Sequence, residues 1–204
     1  MAPAAWQGGW RATRLGGSAQ CQLVLGFEAP TLADEAHAAD VVAAALLGEG
    51  MSSPLLDEVR ERRGLAYYVA CSADILPLTA QFVVEGATAP RQAGEFLEAV
   101  TGLLRRHADA PADPADLARA RTQLRLRALR GLEQPGRRLE AAAQDLFTFG
   151  RLRAADDSLQ RLEAVSAAEV QAVFQRLLSG RAALGLAGSV PARLREQAQA
   201  LLPL

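Results

Sequence analysis

The chain has 204 residues, half of them apolar, so one domain can bury a substantial core without support from metal or disulfides. Its formal net charge of −1 gives no electrostatic argument for binding nucleic acid or an anionic membrane. No stretch approaches the ~18 uninterrupted apolar residues of a membrane span, and the N-terminus lacks the pattern of a signal peptide. The compartment stays open between bacterial periplasm and cytoplasm.

Strand patterns dominate the first ninety residues. Residues 1–19 contain tryptophans and paired glycines without a sustained period, and we expect a partly ordered lead-in strand there. Thr31 offers an N-cap for an alanine-rich helix that runs to Leu47. Alternation of apolar and polar side chains predicts strands over residues 20–28, 66–73 and 79–87, the last two forming a hairpin.

Helical periodicity replaces the strand pattern after Pro90. Helices are predicted around residues 96–104, from Pro114 to Gly131, around residues 139–147, from a capping box at Ser166 and Glu169 to Gly180, and from Pro191 onward. A strand over residues 182–188 interrupts the series. This order predicts an α+β fold in which an open, mixed, largely antiparallel sheet carries helices mainly on one face. No linker divides residues 1–204, so we expect a single domain.

The densest turn and cap signals lie between Gly48 and Tyr67. Gly48 and Gly50 permit the positive φ angles that end a helix, and Ser53 is a side-chain N-cap for a short second helix. Gly64 is expected to end that helix, and a strand follows at once. The sequence therefore places Arg60 near the end of the short helix and Tyr67 near the start of the strand.

This segment resembles the second-domain signature of the pitrilysin or insulinase type zinc peptidases, the inverzincins, which include mitochondrial processing peptidase. The similarity rests on the glycine turn, on Ser52-Ser53 and on the string Val59-Arg60-Glu61-Arg62-Arg63-Gly64-Leu65-Ala66-Tyr67. The chain departs from the pattern at Pro54, where relatives commonly have arginine, and at Glu49, where a further glycine is common. The resemblance implies a processing-peptidase-like fold and identifies residues 1–204 as the C-terminal, non-zinc half of a two-domain peptidase.

The zinc-binding motif of those peptidases, an inverted His-x-x-Glu-His helix, is missing from this chain. The two histidines, His37 and His107, stand at unrelated positions, and both are expected to be surface helix residues. We therefore expect no metal or cofactor on this chain and no hydrolysis by it alone. The resemblance implies that zinc is held by a His-x-x-Glu-His domain in the same chain or in a separate subunit.

The resemblance also gives Arg60 and Tyr67 a role. It implies that they reach across a central chamber towards the zinc-bearing half, bind an unfolded peptide substrate and stabilise the oxyanion. Arginine stays charged with a planar fork of donors, and tyrosine is a neutral donor at pH 7. By residue type alone, Arg60 could instead pair with Asp57, and Tyr67 could be an ordinary strand aromatic.

The predicted function is therefore the non-zinc half of a metalloendopeptidase, which closes the chamber and contributes Arg60 and Tyr67 to substrate binding. Two alternatives stay open. The first is a catalytically silent structural or assembly subunit of the same fold. The second is a peptide-binding module that uses a sheet edge without cleavage.

Several other residues carry structural expectations. Cys21 and Cys71 lie in apolar strand-like runs and are expected to be buried thiols, with a bridge between neighbouring strands as the alternative. Alternation along the strand places Tyr68 in the core. The spacing of Glu58 and Arg62 suits a surface ion pair. The arginines between residues 119 and 130 wind around their helix and lack interleaved aromatics, which argues against a nucleic-acid face.

Overall fold

The computed structural model describes residues 4–204, which form a five-stranded sheet and a set of helices. The strands are β1 (Gly9–Arg14), β2 (Cys21–Glu28), β3 (Ala66–Ile75), β4 (Ala80–Thr88) and β5 (Ala182–Gly188). The helices are α1 (His37–Gly48), α2 (Pro54–Leu56, continued by a π-helical turn at Asp57–Arg62), α3 (Ala93–Asp109), α4 (Pro114–Leu132), α5 (Pro135–Phe149), α6 (Ala155–Ala164), α7 (Ala167–Ser179) and α8 (Leu194–Leu201).

The sheet has the strand order β1-β5-β2-β4-β3. Only the β1–β5 pair among these strands is parallel, and the other three pairs are antiparallel. The predicted fold class, an open and largely antiparallel sheet within an α+β fold, is confirmed. Of the lead-in expected over residues 1–19, Gly9–Arg14 form the edge strand β1, and residues 1–3 lie outside the described part of the chain.

The core lies on one face of the sheet, between the strands and the helices. On β2 every second side chain from Cys21 to Phe27 is buried, whereas Gln22 and Glu28 on the other face are exposed. Phe82 of β4 meets Phe174 of α7 edge to face, with ring centroids 6.1 Å apart. The helices therefore cover one face of the sheet, as predicted, and within residues 4–204 the other face has no helical layer.

Helices α1, α6 and α8 differ from the sequence prediction, and α8 begins at Leu194 instead of Pro191. Helix α1 begins at His37 instead of directly after Thr31, because Asp34 accepts a hydrogen bond from the backbone N–H of Ala36 (2.9 Å) and holds residues 31–36 in turns. Helix α6 was not predicted, since Leu159 and Leu162 alone give it too little apolar periodicity. The capping box at Ser166 and Glu169 is confirmed and begins α7.

Four arginines of the series on α4 make contacts within the protein. Arg119 donates to the carbonyl oxygens of Leu46 and Glu49 (both 3.0 Å) at the end of α1. Arg121 donates to the carbonyl oxygen of Val165. Arg125 and Arg127 pair with Glu163 (3.4 Å) and Glu49 (3.2 Å), respectively. These side chains hold α4 against its neighbours.

The two cysteines are free thiols on β2 and β3. The expected alternative of a bridge between neighbouring strands is wrong, because β4 lies between β2 and β3 in the sheet. Cys21 is fully buried, as expected, and Cys71 is partly buried. Burial raises the pKa of both thiols, with a further contribution from Asp74 at Cys71.

The expectation for the histidines is correct for one of them. His37 lies at the partly exposed start of α1. His107, on α3, is instead stacked on the ring of Phe174 with centroids 5.0 Å apart, and burial lowers its pKa. His107 is therefore a packing residue at the junction of α3 and α7.

Candidate functional site

The corner that carries Arg60 begins with a glycine turn and an N-cap. Gly50 has a φ of +89°, and the Ser53 hydroxyl accepts a hydrogen bond from the N–H of Leu56 (3.4 Å). Gly64 ends the short helix with a φ of +59°, as predicted. Gly48 does not adopt a positive φ. It is required because a Cβ there would lie 2.4 Å from the Cβ of Cys71, so it brings the end of α1 close to β3.

The second half of α2 is a π-helical turn, in which backbone bonds link residues five apart. Ion pairs in this turn follow the same spacing. Arg62 pairs with Asp57 (2.7 Å) and Arg63 pairs with Glu58 (2.6 Å). The predicted pair between Glu58 and Arg62 is wrong, because residues four apart no longer face each other once the turn is widened.

Glu58 anchors the π-helical turn to the rest of the molecule. Its carboxylate is largely buried and accepts bonds from Arg63 and, on the neighbouring helix α3, from Arg106 (3.2 Å). Burial raises the pKa of Glu58, but the hydrogen bonds and charges of the two guanidinium groups outweigh it, so the pKa lies below its ordinary value. The charged carboxylate therefore fixes the turn that carries Arg60.

Two buried hydrogen bonds set the angle between α2 and β3. The N–H of Leu65 donates to the carbonyl oxygen of Val59 (2.8 Å), and the hydroxyl of Thr88 on β4 donates to the carbonyl oxygen of Leu65 (2.5 Å). Both backbone polar groups of Leu65, its N–H and its carbonyl, are thus hydrogen-bonded. The corner is fixed to the sheet immediately before Tyr67.

A β-bulge directs the two tyrosines at the start of β3. Ala66 pairs with Thr88 and Tyr68 pairs with Ala87, so Tyr67 has no partner in the register. A bulge residue adds one position to its strand and re-aims its side chain. Tyr67 is consequently 85% exposed.

The bulge also changes the position of Tyr68. Tyr68 lies on the helix-free face of the sheet, half exposed, and its hydroxyl donates to Glu85 (2.5 Å). The prediction that Tyr68 belongs to the core is therefore wrong, since simple alternation from Tyr67 ignores the extra residue. The bond to Glu85 raises the pKa of Tyr68.

The structure brings Arg60 and Tyr67 together. The guanidinium carbon of Arg60 lies 5.2 Å from the centroid of the Tyr67 ring, within the range of a cation–π contact. Arg60 also pairs with its neighbour Glu61 (3.3 Å). It does not pair with Asp57, which is bound to Arg62. A charged fork of donors and a phenol hydroxyl thus share one exposed corner.

A cleft of about 640 Å³ opens near this corner. The register of the sheet places Arg14, Gly188 and Ala66 in one row across the strands, so the cleft lies at the same end of the sheet as Tyr67. Its lining includes Arg14, Arg91 and Glu95, and Glu95 lies 3.9 Å from Arg63 on the Arg60 turn. Neither Arg60 nor Tyr67 lines the cleft. Tyr67 is exposed to solvent, whereas the Arg60 side chain is 35% exposed and its Nε is paired with Glu61.

Between residues 4 and 204 no group of three or more His, Cys, Asp or Glu side chains is arranged to hold a metal ion. The arrangement at Arg60 and Tyr67 offers hydrogen-bond donors and one positive charge, which can bind carbonyl oxygens or a developing negative charge.

Among the helices of residues 4–204, none is both long and apolar enough to cross a membrane.

Residues 9–124 match the family model described as the Peptidase M16 inactive domain. The chain is 32% identical over 182 residues to an "uncharacterized zinc protease" of Mycobacterium tuberculosis, an alignment that covers 86% of this chain and 42% of the relative. It is 24% identical over 182 residues to the "uncharacterized zinc protease YmxG" of Bacillus subtilis, which covers 88% of this chain and 44% of that protein. The chain therefore spans less than half of the length of these relatives.

Solved structures share the fold at low sequence identity. A peptidase M16 inactive domain from Pseudomonas fluorescens superposes with a TM-score of 0.78 at 18% identity, over 94% of this chain and 46% of that one. A chain of Complex III2 from Candida albicans gives a TM-score of 0.85 at 15% identity, over 96% of this chain and 50% of that one. The family match covers more than half of the sequence, and the chain belongs to the Peptidase M16 inactive-domain family of zinc-protease-like proteins.

Proposed function

We propose that this chain is the non-zinc half of a metalloendopeptidase and that Arg60 and Tyr67 bind the substrate peptide and its oxyanion. The observation that carries the proposal is the stacked pair itself. Two donors of different chemistry project from one corner, with Tyr67 85% exposed and Arg60 held beside its ring. A preorganised pair of this kind does not have to be ordered again when the substrate arrives.

Hydrogen bonds also hold the backbone of the corner that carries Arg60 and Tyr67. The buried bonds of Leu65 fix the start of β3, and Glu58 ties the π-helical turn to α3 through Arg106. Tyr67 itself stays open to solvent, and the Arg60 side chain is partly exposed beside it. This combination of a fixed backbone and uncovered donors suits a surface that meets its partner groups across a shared chamber.

The missing components belong to a second domain. Zinc, its His-x-x-Glu-His helix and the general base would be supplied by that domain, either in the same chain or as a separate subunit. The relatives of this chain bear the name zinc protease and are more than twice as long as the part that aligns with it. Their length supports such an arrangement. Residues 1–204 form the C-terminal half in this proposal and do not hydrolyse peptides alone.

The test measures peptide turnover by the assembled enzyme, with zinc on the partner domain. Arg60→Ala and Tyr67→Phe are each expected to lower kcat/KM by about 10²–10³-fold, the usual effect of removing one oxyanion donor. The chain provides matched controls. Tyr68→Phe removes a neighbouring phenol that is bound to Glu85, and Arg62→Ala removes an exposed guanidinium bound to Asp57.

Both controls are expected to keep turnover within about threefold of the parent, because an exposed hydrogen bond and an exposed ion pair contribute little. Unchanged turnover in Arg60→Ala and Tyr67→Phe would refute the proposal. Equal losses in Tyr67→Phe and Tyr68→Phe would point to a general disturbance of β3 instead of a substrate contact.

A second candidate function is a structural or assembly subunit. The observation that favours it is the likeness to a chain of Complex III2. Of the two structures compared above, that chain superposes with the higher TM-score. In that case the Arg60 and Tyr67 variants would leave the assembly and its activity unchanged. A peptide-binding module would instead retain unstructured peptides on the isolated chain, with its free β3 edge adding a strand.

A further inference from the structure

The cleft of about 640 Å³ lies at the end of the sheet where β1 and β5 finish. Its walls are the residues that follow these two strands, the segment that leads from β4 into the first turn of α3, and the start of α8. A concave volume of this size is typical of ligand sites. Because Arg60 and Tyr67 do not line it, the cleft is a second feature of this end of the sheet.

The fold itself holds the walls of the cleft in place. The N–H of Leu15 after β1 donates to the carbonyl oxygen of Gly188 at the end of β5 (3.0 Å). On the opposite wall, Gly94 of α3 leaves room for Gln197 of α8, since a Cβ at Gly94 would lie 2.7 Å from the Oε1 of Gln197. The cleft is therefore preformed, and a ligand does not have to order its walls.

The cleft carries an excess of positive charge. Arg14 and Arg91 are exposed, and neither has an ion-pair partner between residues 4 and 204. Glu95 is the acidic residue of the lining, and it lies 3.9 Å from Arg63. The excess remains when charged residues within three positions of the lining are counted, namely Arg11, Arg193, Arg195, Glu98 and Glu196.

The two arginines come from separate parts of the chain. Arg14 ends β1, and Arg91 lies between β4 and α3, so the fold brings two like charges to one cleft. Like charges repel, and an anion placed between them relieves that repulsion. Each guanidinium also presents a planar fork of donors that matches the two oxygens of a carboxylate. A carboxylate is therefore the chemical group that this lining fits.

The cleft is within reach of a peptide held at Arg60 and Tyr67. Its near wall contacts the turn of Arg60 through Glu95 and Arg63. At its far wall, Arg14 on β1 is separated from the start of β3 by the strands β5, β2 and β4. Strands about 4.8 Å apart put this distance at ~19 Å, which an extended peptide covers in about six residues.

We propose that this cleft binds a carboxylate of the substrate peptide, with Arg14 and Arg91 as its ligands. The proposal rests on the proposed function, because it takes the peptide that Arg60 and Tyr67 hold. The carboxylate belongs to an acidic side chain or to the C-terminus of the peptide, within about six residues of the scissile bond. The enzyme therefore prefers peptides that carry a negative charge at this distance.

The test compares forms of one unstructured peptide that the assembled enzyme cleaves. The reference form has glutamine residues and a C-terminal amide. A second set places one glutamate at successive positions within about six residues of the scissile bond. A third form ends in a free carboxylate at that distance, so that the two sources of the carboxylate are distinguished. The best carboxylate form is expected to have a kcat/KM about tenfold above the reference form, as for a charge-assisted hydrogen bond.

Variants of the lining identify the residues responsible. The double variant Arg14→Gln/Arg91→Gln is expected to reduce the tenfold preference to less than about twofold. Glu95→Gln should change the preference in the opposite direction, raising it by about threefold, because it removes the negative charge of the lining. Arg11→Gln is the matched control. Arg11 lies on the same strand as Arg14 but outside this cleft, and it should leave the preference within about twofold.

Equal kcat/KM for the carboxylate and reference forms overturns the proposal. A preference that survives in the double variant also overturns it, and so does a double variant that loses the same factor on every form. Preference for the glutamate forms alone identifies the ligand as an acidic side chain. Preference for the free carboxylate form alone identifies it as the C-terminus.

The proposed function is judged separately. Arg60→Ala and Tyr67→Phe are expected to lower kcat/KM for all forms of the peptide and to keep the ratio between them. An assembled enzyme that cleaves none of the peptides refutes the proposed function. The Kd values of the same peptides for this chain, measured by fluorescence anisotropy, then decide the cleft by the same ratios, with equal Kd values for all forms overturning it.

Discussion

Glu58 connects the sequence motif to the geometry of Arg60. Its buried carboxylate holds Arg63 on the π-helical turn and Arg106 on α3, whereas Asp57, one position earlier, binds only the exposed Arg62. Glu58→Gln removes the charge without changing the shape. We expect it to lower the free energy of unfolding by about 1–3 kcal/mol, against a few tenths for Asp57→Asn, in urea titrations at pH 7.

The effect of Glu58→Gln is expected to depend on pH. Because the folded-state pKa of Glu58 lies below its ordinary value of 4.5, the ionised carboxylate stabilises the folded chain above that pH. The contribution is lost as the pH falls through the lowered pKa. The difference in unfolding free energy between the parent and Glu58→Gln should therefore be largest near pH 7 and shrink below about pH 4.5. A constant difference down to pH 3 would contradict the assigned pairing.

At the scale of single residues, the sequence predicts identity better than environment. The resemblance singled out Arg60 and Tyr67, and the structure places them side by side, while their role in substrate binding stays a prediction. The environment of Tyr68 was missed because a single bulge residue changes the face of the residue that follows, and no local composition marks it. The partner of Glu58 on α3 lies 48 positions away, a distance at which neither periodicity nor spacing carries a signal.

At the scale of elements, two glycines with different roles allow a direct test of packing. Gly48 ends α1 against β3, where an added Cβ would lie 2.4 Å from the Cβ of Cys71. Gly102 lies inside α3, and a Cβ there would meet nothing within 4 Å. Gly48→Ala is expected to lower the free energy of unfolding by about 1–3 kcal/mol through overpacking. Gly102→Ala should raise it by about 0.5–1 kcal/mol, because alanine favours the helix.

Chemical denaturation of both variants at one pH provides the measurement. The opposite signs matter more than the sizes. A stabilising Gly48→Ala would mean that α1 can move away from β3 without loss, so that the close approach of these elements is dispensable. Matching losses in both variants would mean that α3 does not tolerate a methyl group at position 102.

The elements of the chain were predictable in proportion to the strength of their local signals. The capping box at Ser166 and the glycine at position 64 have mechanisms that act within a few residues, and they begin and end a helix, respectively, as expected. The π-helical turn was not predictable, since its sequence fits an ordinary α-helix as well. It shifted the partner of Arg62 from Glu58 to Asp57.

At the scale of the whole molecule, the order of strand and helix patterns was enough to predict the fold class. An early group of strands, a helical block and one late strand leave few arrangements other than a sheet with helices on one face. The parallel pairing of β1 with β5 could not be predicted, because these strands are far apart in sequence. Leu139 and Phe147 of α5 are exposed although they helped to predict that helix, because periodicity indicates an apolar face without indicating where it points.

In the proposed enzyme the metal resides on the partner domain. A metal ion that binds the folded state stabilises it, so its removal lowers the midpoint of thermal unfolding. Zinc is assigned to the partner domain, and residues 4–204 contain no cluster of three candidate ligands. EDTA is therefore expected to leave the Tm of this chain unchanged within about 1 °C. The same treatment should abolish peptide turnover by the assembled enzyme, and added zinc should restore it. A fall in the Tm of the isolated chain that zinc reverses would place a metal site on this half and contradict the division of roles between the two domains.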